Sequence, residues 1–204
     1  MKVALSKQVL QKFPNARIAI VTASIKISSS CQYIDDLKSS LPDFLHSLGL
    51  EKCNYAEHPS IKSWREIYTK EFNVKPKQYK SSIDALVRRI LTGNKMWEIS
   101  NIVDLYNVCS VLSLLPMGGY DLKKISGDIT IRYAEHNEVF EPLGEKQKQP
   151  ILPNHIVYAD AEKLLCWLWN HKDSKLSCLD QDTKEAIFFI DSADTPTHLS
   201  LEGV

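Results

Sequence analysis

Residues 101–133 read NIVDLYNVCSVLSLLPMGGYDLKKISGDITIRY, and the fold class turns on a change of period within them. The first part, residues 101–115, places apolar side chains nearly all round a helix (Ile102, Val103, Leu105, Val108, Cys109, Val111, Leu112), a pattern that predicts burial. Pro116-Met-Gly-Gly stops that helix. From Gly127 onward Asp128-Ile-Thr-Ile-Arg-Tyr alternates with period two, as a half-buried strand does. Downstream, Ile156-Val-Tyr, Leu164-Leu-Cys-Trp-Leu and Ala186-Ile-Phe-Phe-Ile are apolar runs of strand length. Upstream, Trp64, Ile67, Tyr68 and Phe72 share one face of a helix over residues 60–72 that Pro76 closes off. Ile83, Leu86, Val87, Ile90 and Leu91 form the stripe of another helix, which starts at Ser81 or Ser82 and ends at Gly93. A further helix near residues 31–47, a short strand at residues 3–5, a helix capped by Ser6 and a buried strand from Arg17 to Ala23 complete the pattern. Helices early and strands late predict an α+β fold.

The chain has 204 residues, 44% hydrophobic and 25% charged, which suits a single domain over residues 1–204 with one sizeable core. No repeat or low-complexity tract divides it. The N-terminal MKVALSKQVLQKFPNAR lacks an uninterrupted apolar run, and no stretch reaches the roughly 18 apolar residues of a membrane span, so a cytoplasmic protein without membrane contact is expected. Five cysteines without a C-x-x-C pair predict reduced, mostly buried thiols. G-x-S-x-G, the P-loop, G-x-G-x-x-G and H-E-x-x-H are all missing, and the histidines lack ligand spacing. No cofactor and no metal are expected, and His136, His155, His171 and His198 are expected to be surface or hydrogen-bonded histidines.

Twenty-five basic and 25 acidic residues give a formal net charge of zero, but the charge is unevenly placed. Residues 62–95 hold nine basic side chains (Lys62, Arg65, Lys70, Lys75, Lys77, Lys80, Arg88, Arg89, Lys95) against three acidic ones (Glu66, Glu71, Asp84), hence 9 − 3 = +6 there and −6 elsewhere. With Trp64, Tyr68, Phe72, Tyr79 and Trp97 interleaved, this is the composition of a surface that tracks phosphates and stacks bases; it is equally that of a solvated helix face over an aromatic core stripe.

Asn101, Asp104 and Asn107 recur along one side of the apolar helix. Asn101 as N-cap with Asp104 three residues on approaches a capping box, which leaves Asn107 either to tie a loop or to face a pocket and hold a hydroxyl or a water. Nothing else in the spacing of residues looks catalytic.

The succession Tyr79-Lys-Ser-Ser-Ile-Asp-Ala-Leu-Val-Arg-Arg-Ile-Leu, Ile99-Ser-Asn-Ile-Val-Asp-Leu-Tyr-Asn, Gly118-Gly-Tyr-Asp-Leu, Gly127-Asp-Ile-Thr-Ile-Arg-Tyr-Ala, Val157-Tyr-Ala-Asp and Trp169-Asn resembles the free-standing relatives of the B3/B4 domain, the tRNA-editing module of the beta subunit of bacterial phenylalanyl-tRNA synthetase. The resemblance covers roughly residues 60–192. It implies a β-sandwich of unusual topology with flanking helices, tRNA or aminoacyl-tRNA as partner, and either hydrolysis of mischarged aminoacyl-tRNA without a metal or an RNA-binding module that kept only the fold. It implies that Asp191 or Asp104 handles the attacking water, with Asn107 beside it. Asn101, Gly118, Asp121, Arg132, Asn170 and His171 are implied as substrate contacts, and Lys75, Lys77, Lys80, Arg88, Arg89 and Lys95 as RNA contacts. Gly118 stands where the synthetase domain has a histidine, and Asn170-His171 where it has a glycine pair, so specificity for tyrosine is not carried over.

Overall fold

The computed structural model describes residues 1–193; His198 and the segment of residues 197–204 lie outside them. The elements follow one another as β1 (Val3–Leu5), α1 (Lys7–Lys12), β2 (Arg17–Ser24), α2 (Gln32–Ser47), α3 (Pro59–Lys70), α4 (Ser82–Leu91), α5 (Asn101–Ser113), β3 (Met117–Asp121), β4 (Ile129–Tyr133), β5 (Val139–Phe140), β6 (Gln149–Pro150), β7 (Ile156–Ala159), β8 (Leu164–Trp167), β9 (Lys172–Asp173) and β10 (Glu185–Ser192). The fold is α+β, as the change of period predicts.

The strands form a five-stranded sheet in the order β1-β4-β7-β8-β9, a three-stranded sheet in the order β2-β10-β3, and the small hairpin β5-β6. Among the described residues only β1 and β4 pair in parallel; the other pairs are antiparallel. Register dictates what lies between the two larger sheets. Leu5 pairs with Ile131, Ile131 with Tyr158, Tyr158 with Cys166 and Cys166 with Asp173, so these five side chains form one row across the five-stranded sheet. On the other sheet Ile187, Phe189 and Asp191 alternate onto one face of β10, with Tyr120 opposite Ile187 and Gly118 opposite Phe189. The two rows meet: the Tyr158 and Phe189 rings stand edge to face at 5.1 Å, and the Tyr120 hydroxyl donates to Asp173 at 2.8 Å. The result is a sandwich whose interior carries polar groups among apolar ones.

The other face of β10 packs on α5 through Phe188 and Tyr106, whose centroids are 6.1 Å apart. Gly119 sits beneath this contact; a Cβ there would come within 2.8 Å of the Phe188 ring. Beside the sandwich, Trp169 meets Phe13 and Trp64 edge to face at 5.1 and 5.2 Å. The α3 and α4 helices are joined by Arg65, which donates to both oxygens of the buried Asp84 at 2.8 and 3.1 Å.

Several expectations need correcting. The β2 strand is not buried: it is the edge of the three-stranded sheet, so its outer face lacks a covering layer and Ile20 and Val21 are 43% and 49% exposed. The α5 helix is buried on one side only, because α2, α4 and β3 cover a single face, and Leu105 and Leu112 remain exposed. Its N-cap is Ser100, whose Oγ accepts from Val103, and Asn101 begins the helix proper. Of the five cysteines only Cys166 is fully buried, and Cys53 is exposed.

Candidate functional site

Between the sheets lies a cavity of about 40 Å3 lined by, among others, Gly118, Tyr120, Tyr158, Trp169, Asn170, His171, Asp173 and Asp191. That is room for one or two waters. Asp191 ends the inward row of an otherwise apolar strand and is 4% exposed. One of its oxygens accepts from the Tyr158 hydroxyl, and the other from Asn170 Nδ2 at 3.2 Å. Burial raises its pKa to about 7, against the two hydrogen bonds and with a smaller push from Asp173. A carboxyl that titrates near neutrality inside a cavity is the property a proton-accepting group needs. Burial also raises Asp173, against the hydrogen bond from Tyr120.

Asn170 is the pivot. Its Oδ1 accepts from the buried Tyr68 hydroxyl at 3.2 Å while its Nδ2 reaches Asp191, so one carboxamide connects α3, the β8–β9 turn and β10. The turn itself is strained: Leu168 and Trp169 take left-handed φ angles of 52° and 64°, which cost non-glycine residues of order 1 kcal/mol or more each. Tyr68 donating to the Leu168 carbonyl at 2.8 Å and the Trp169 N–H donating to Ile156 at 2.7 Å hold it there. The turn presents Trp169, Asn170 and His171 to the cavity in succession. Two lining residues also hold buried polar atoms without a partner, Trp169 Nε1 and Ser82 Oγ. His171 places Nδ1 2.7 Å from the Lys80 carbonyl oxygen, and burial lowers its pKa, so the ring is neutral at pH 7.

Of the residues singled out in the sequence, Asp191, Asn170, His171 and Gly118 come together at this cavity. The polar line on α5 does not join them. Asn101 ties a loop, accepting from the Ser28 N–H at 2.9 Å and donating to the Lys26 carbonyl at 3.0 Å. Asp104 is buried in an ion pair with Lys38 of α2 at 2.8 Å and accepts from the Ile99 N–H. Asn107 is half-buried on the same helix and does not line the cavity. Asp121 accepts from Thr183 and from the Lys123 N–H, holding the loop after β3. Arg132 makes a two-pronged contact with Glu138 at 2.9 and 2.6 Å, away from the cavity. Lys75, Lys77, Lys80, Arg88, Arg89 and Lys95 make no ion pair among the described residues, whereas Lys62, Arg65 and Lys70 each do. Arg89 lies over the Trp97 ring at 4.2 Å.

Sequence reasoning passed over Asp173 and Ser82, and quoted Tyr120, Tyr158 and Trp169 within motifs without giving them a contact role. A signal was present for the tyrosines: a Tyr in a strand buried on both faces needs a partner for its hydroxyl, and Asp191 closes an apolar run in the same way.

Fold and site together define an α+β domain whose two facing sheets enclose a small cavity with two carboxylates. The chain belongs to the B3/4 domain family, whose model matches residues 64–197. It is 40% identical over 81 residues to the phenylalanine–tRNA ligase beta subunit of Chromobacterium violaceum, a match covering 40% of this chain and 10% of the ligase subunit. Among solved structures it is similar to an N-terminal fragment of the phenylalanyl-tRNA synthetase beta subunit from Pyrococcus horikoshii, with 12% identity, a TM-score of 0.46, and 94% of this chain and 43% of that one covered.

Proposed function

We propose that this domain binds aminoacyl-tRNA and hydrolyses its ester bond, with Asp191 taking the proton of the attacking water. The observation that carries the reading is Asp191 itself, buried in a cavity and titrating at about 7. An aminoacyl ester is already activated, so positioning a water and stabilising the developing oxyanion suffice. In its ionised form Asp191 accepts a proton as the water attacks the ester carbon. The tetrahedral intermediate then collapses with the ribose oxygen leaving, and that oxygen takes up a proton. Asn170 fixes the carboxylate. About 40 Å3 holds the attacking water and not an aminoacyl group, so the ester sits at the mouth of the cavity, and a tyrosine ring is not accommodated inside it. The six unpaired basic residues supply contacts to phosphate that carry no sequence information.

The same small volume favours a second reading, a module that binds RNA without hydrolysis. Incubating the protein with tRNAs charged with glycine, alanine, serine and tyrosine separates the two. Release of a small amino acid above the buffer rate, lost in Asp191→Asn, supports hydrolysis. Tight tRNA binding with no release of any amino acid leaves only the binding module.

A further inference from the structure

The cavity between the sheets has a floor and a mouth. Asp191, Asn170 and Tyr158 line it and are buried, whereas Gly118, His171 and Asp173 line it and are partly exposed, so the cavity opens beside Asp173. Oδ1 of Asp173 accepts from the Tyr120 hydroxyl at 2.8 Å. Its Oδ2 has no hydrogen-bond partner among the described residues and is not sealed from solvent. Gly118 keeps the approach clear, since even a Cβ there would lie 3.7 Å from Oδ1.

The groups at the mouth share one polarity. Nδ1 of His171 lies 2.7 Å from the Lys80 carbonyl oxygen and 3.4 Å from the Lys80 N–H, so the closer contact places the proton on Nδ1 and leaves Nε2 as an acceptor. Lys172, the lysine among the lining residues, is engaged by Glu145. The site therefore offers acceptors and two carboxyls, Asp173 and Asp191, with no free cation among the described lining residues to balance them. It attracts a group that brings positive charge and donors only, and a primary ammonium with its three N–H bonds is such a group. By the same charge it repels phosphate and free carboxylate.

We infer that Asp173 receives the α-ammonium of the aminoacyl group on Oδ2, and that the substrate is an aminoacyl ester with its amino group unblocked. The inference rests on the proposed function for the ester and adds the feature by which the site selects it: a peptidyl or N-acylated ester lacks the ammonium and is excluded. An α-ammonium is two bonds from the ester carbon, so anchoring it at the mouth brings that carbon to the opening above the water of Asp191. Hydrolysis turns the ester into a free carboxylate, which the two carboxyls repel, and the product leaves.

The test is an NMR titration of the protein at pH 7 with glycinamide, which carries the ammonium beside an uncleaved carbonyl, and with glycolamide, in which a hydroxyl replaces the ammonium. The Asp173 carboxyl and Tyr120 ring resonances report it. Glycinamide is expected to shift them and glycolamide is not. Asp173→Asn keeps an acceptor for the Tyr120 hydroxyl, so its thermal midpoint is expected to hold while its affinity for glycinamide falls at least about tenfold, the range for a hydrogen bond to a charged group. Glycyl-tRNA and N-acetylglycyl-tRNA form the second arm, with the first expected to be hydrolysed and the second to decay at the buffer rate. The inference is overturned when glycolamide shifts Asp173 as glycinamide does, when neither shifts it, when magnesium chloride shifts it and glycinamide does not, or when folded Asp173→Asn binds glycinamide like the parent. Equal hydrolysis of the two tRNAs overturns it and retains the hydrolysis. Ammonium-selective binding without release from either tRNA retains the role of Asp173 and removes the hydrolysis, so the two readings fail separately.

Discussion

The hydroxyl of Tyr158, in the middle of the five-stranded sheet, donates to the carboxylate of Asp191 at the end of β10 in the opposite sheet. This contact crosses the sandwich, as the Tyr120–Asp173 hydrogen bond does, and it favours the ionised carboxylate against the effect of burial. Tyr158→Phe takes it away while the ring keeps its place against Phe189. The hydrogen bond lowers the pKa of Asp191, so its loss moves that pKa above about 7. The fall in stability is expected to be about 1.5–3 kcal/mol, the range for a hydrogen bond to a charged group. Carboxyl NMR titration and urea unfolding of the variant check the two parts.

Asp191 also makes stability depend on pH in an unusual direction. Its folded pKa, about 7, lies above the roughly 3.9 of an unfolded aspartate, so between those values the folded state binds more protons than the unfolded one. Its contribution to stability is therefore fully present below about pH 4 and is lost as the pH rises to about 7. Asp191→Asn, which stays neutral, is expected to flatten that part of the profile. Urea midpoints at pH 5 and pH 8 measure it: a parent protein that gains stability over this range relative to the variant contradicts the assignment.

Neighbouring glycines on β3 separate packing from chemistry. In Gly119→Ala the new Cβ meets Phe188 at 2.8 and 2.9 Å and Tyr106 at 3.3 Å, so strand and helix must part, at a cost of about 1–3 kcal/mol. In Gly118→Ala the nearest atoms are the Tyr120 hydroxyl at 3.5 Å and Asp173 Oδ1 at 3.7 Å, which is ordinary contact. Gly118→Ala is thus expected to keep the thermal midpoint and to lower hydrolysis by filling the cavity, whereas Gly119→Ala lowers the midpoint. Differential scanning calorimetry together with the deacylation assay distinguishes them.

How much of this was legible differs element by element. The α3 and α4 stripes and the switch to strands after Gly127 could be read because one face of each element is buried, so periodicity survives in the sequence. The exposure of β2 could not, because an edge strand and a central one share an apolar run and only the order of strands tells them apart. The line Asn101, Asp104, Asn107 was visible as a pattern but its use was not: a polar residue on an apolar helix needs a partner, and whether that partner is a loop carbonyl, Lys38 or a substrate depends on what packs there. Asp191 was reached through family resemblance. Its partners Tyr158 and Asn170, from β7 and the β8–β9 turn, meet it only through sheet register, which local spacing does not encode.

Asp104 and Lys38 provide a structural control for the site. Their side chains are 5% and 10% exposed and 2.8 Å apart, joining α5 to α2. Asp104→Ala leaves the buried Lys38 ammonium only the more exposed Asp35, 3.4 Å away, and is expected to cost about 1–3 kcal/mol. Replacing both, Asp104→Leu with Lys38→Met, removes the unpaired charge and is expected to recover most of that loss. The double variant should hydrolyse as the parent does, since neither residue lines the cavity. Loss of hydrolysis in a double variant of parental stability would return Asp104 to the chemistry.

With no net charge on the chain, attraction to RNA must come from local groups, and Lys75, Lys77, Lys80, Arg88, Arg89 and Lys95 are the cations of residues 62–95 without an ion pair among the described residues. Affinity for tRNA should fall linearly on a logarithmic scale of salt, with a slope of about 0.7–0.9 per phosphate neutralised. Lys75 and Lys77 are exposed in the loop leading to Tyr79, so Lys75→Gln with Lys77→Gln is expected to reduce the slope by about 1.4–1.8. Arg89 is held over Trp97 and bonded to the Lys95 carbonyl at 2.5 Å, so its charge is fixed in place rather than free to swing. Arg89→Lys keeps the charge but loses the planar stack, and it should change affinity while leaving the slope as it was. Filter binding of tRNA between 50 and 200 mM salt, read as slope and intercept for each variant, decides whether these cations meet phosphate: an unchanged slope in the double lysine variant removes the loop from the RNA interface.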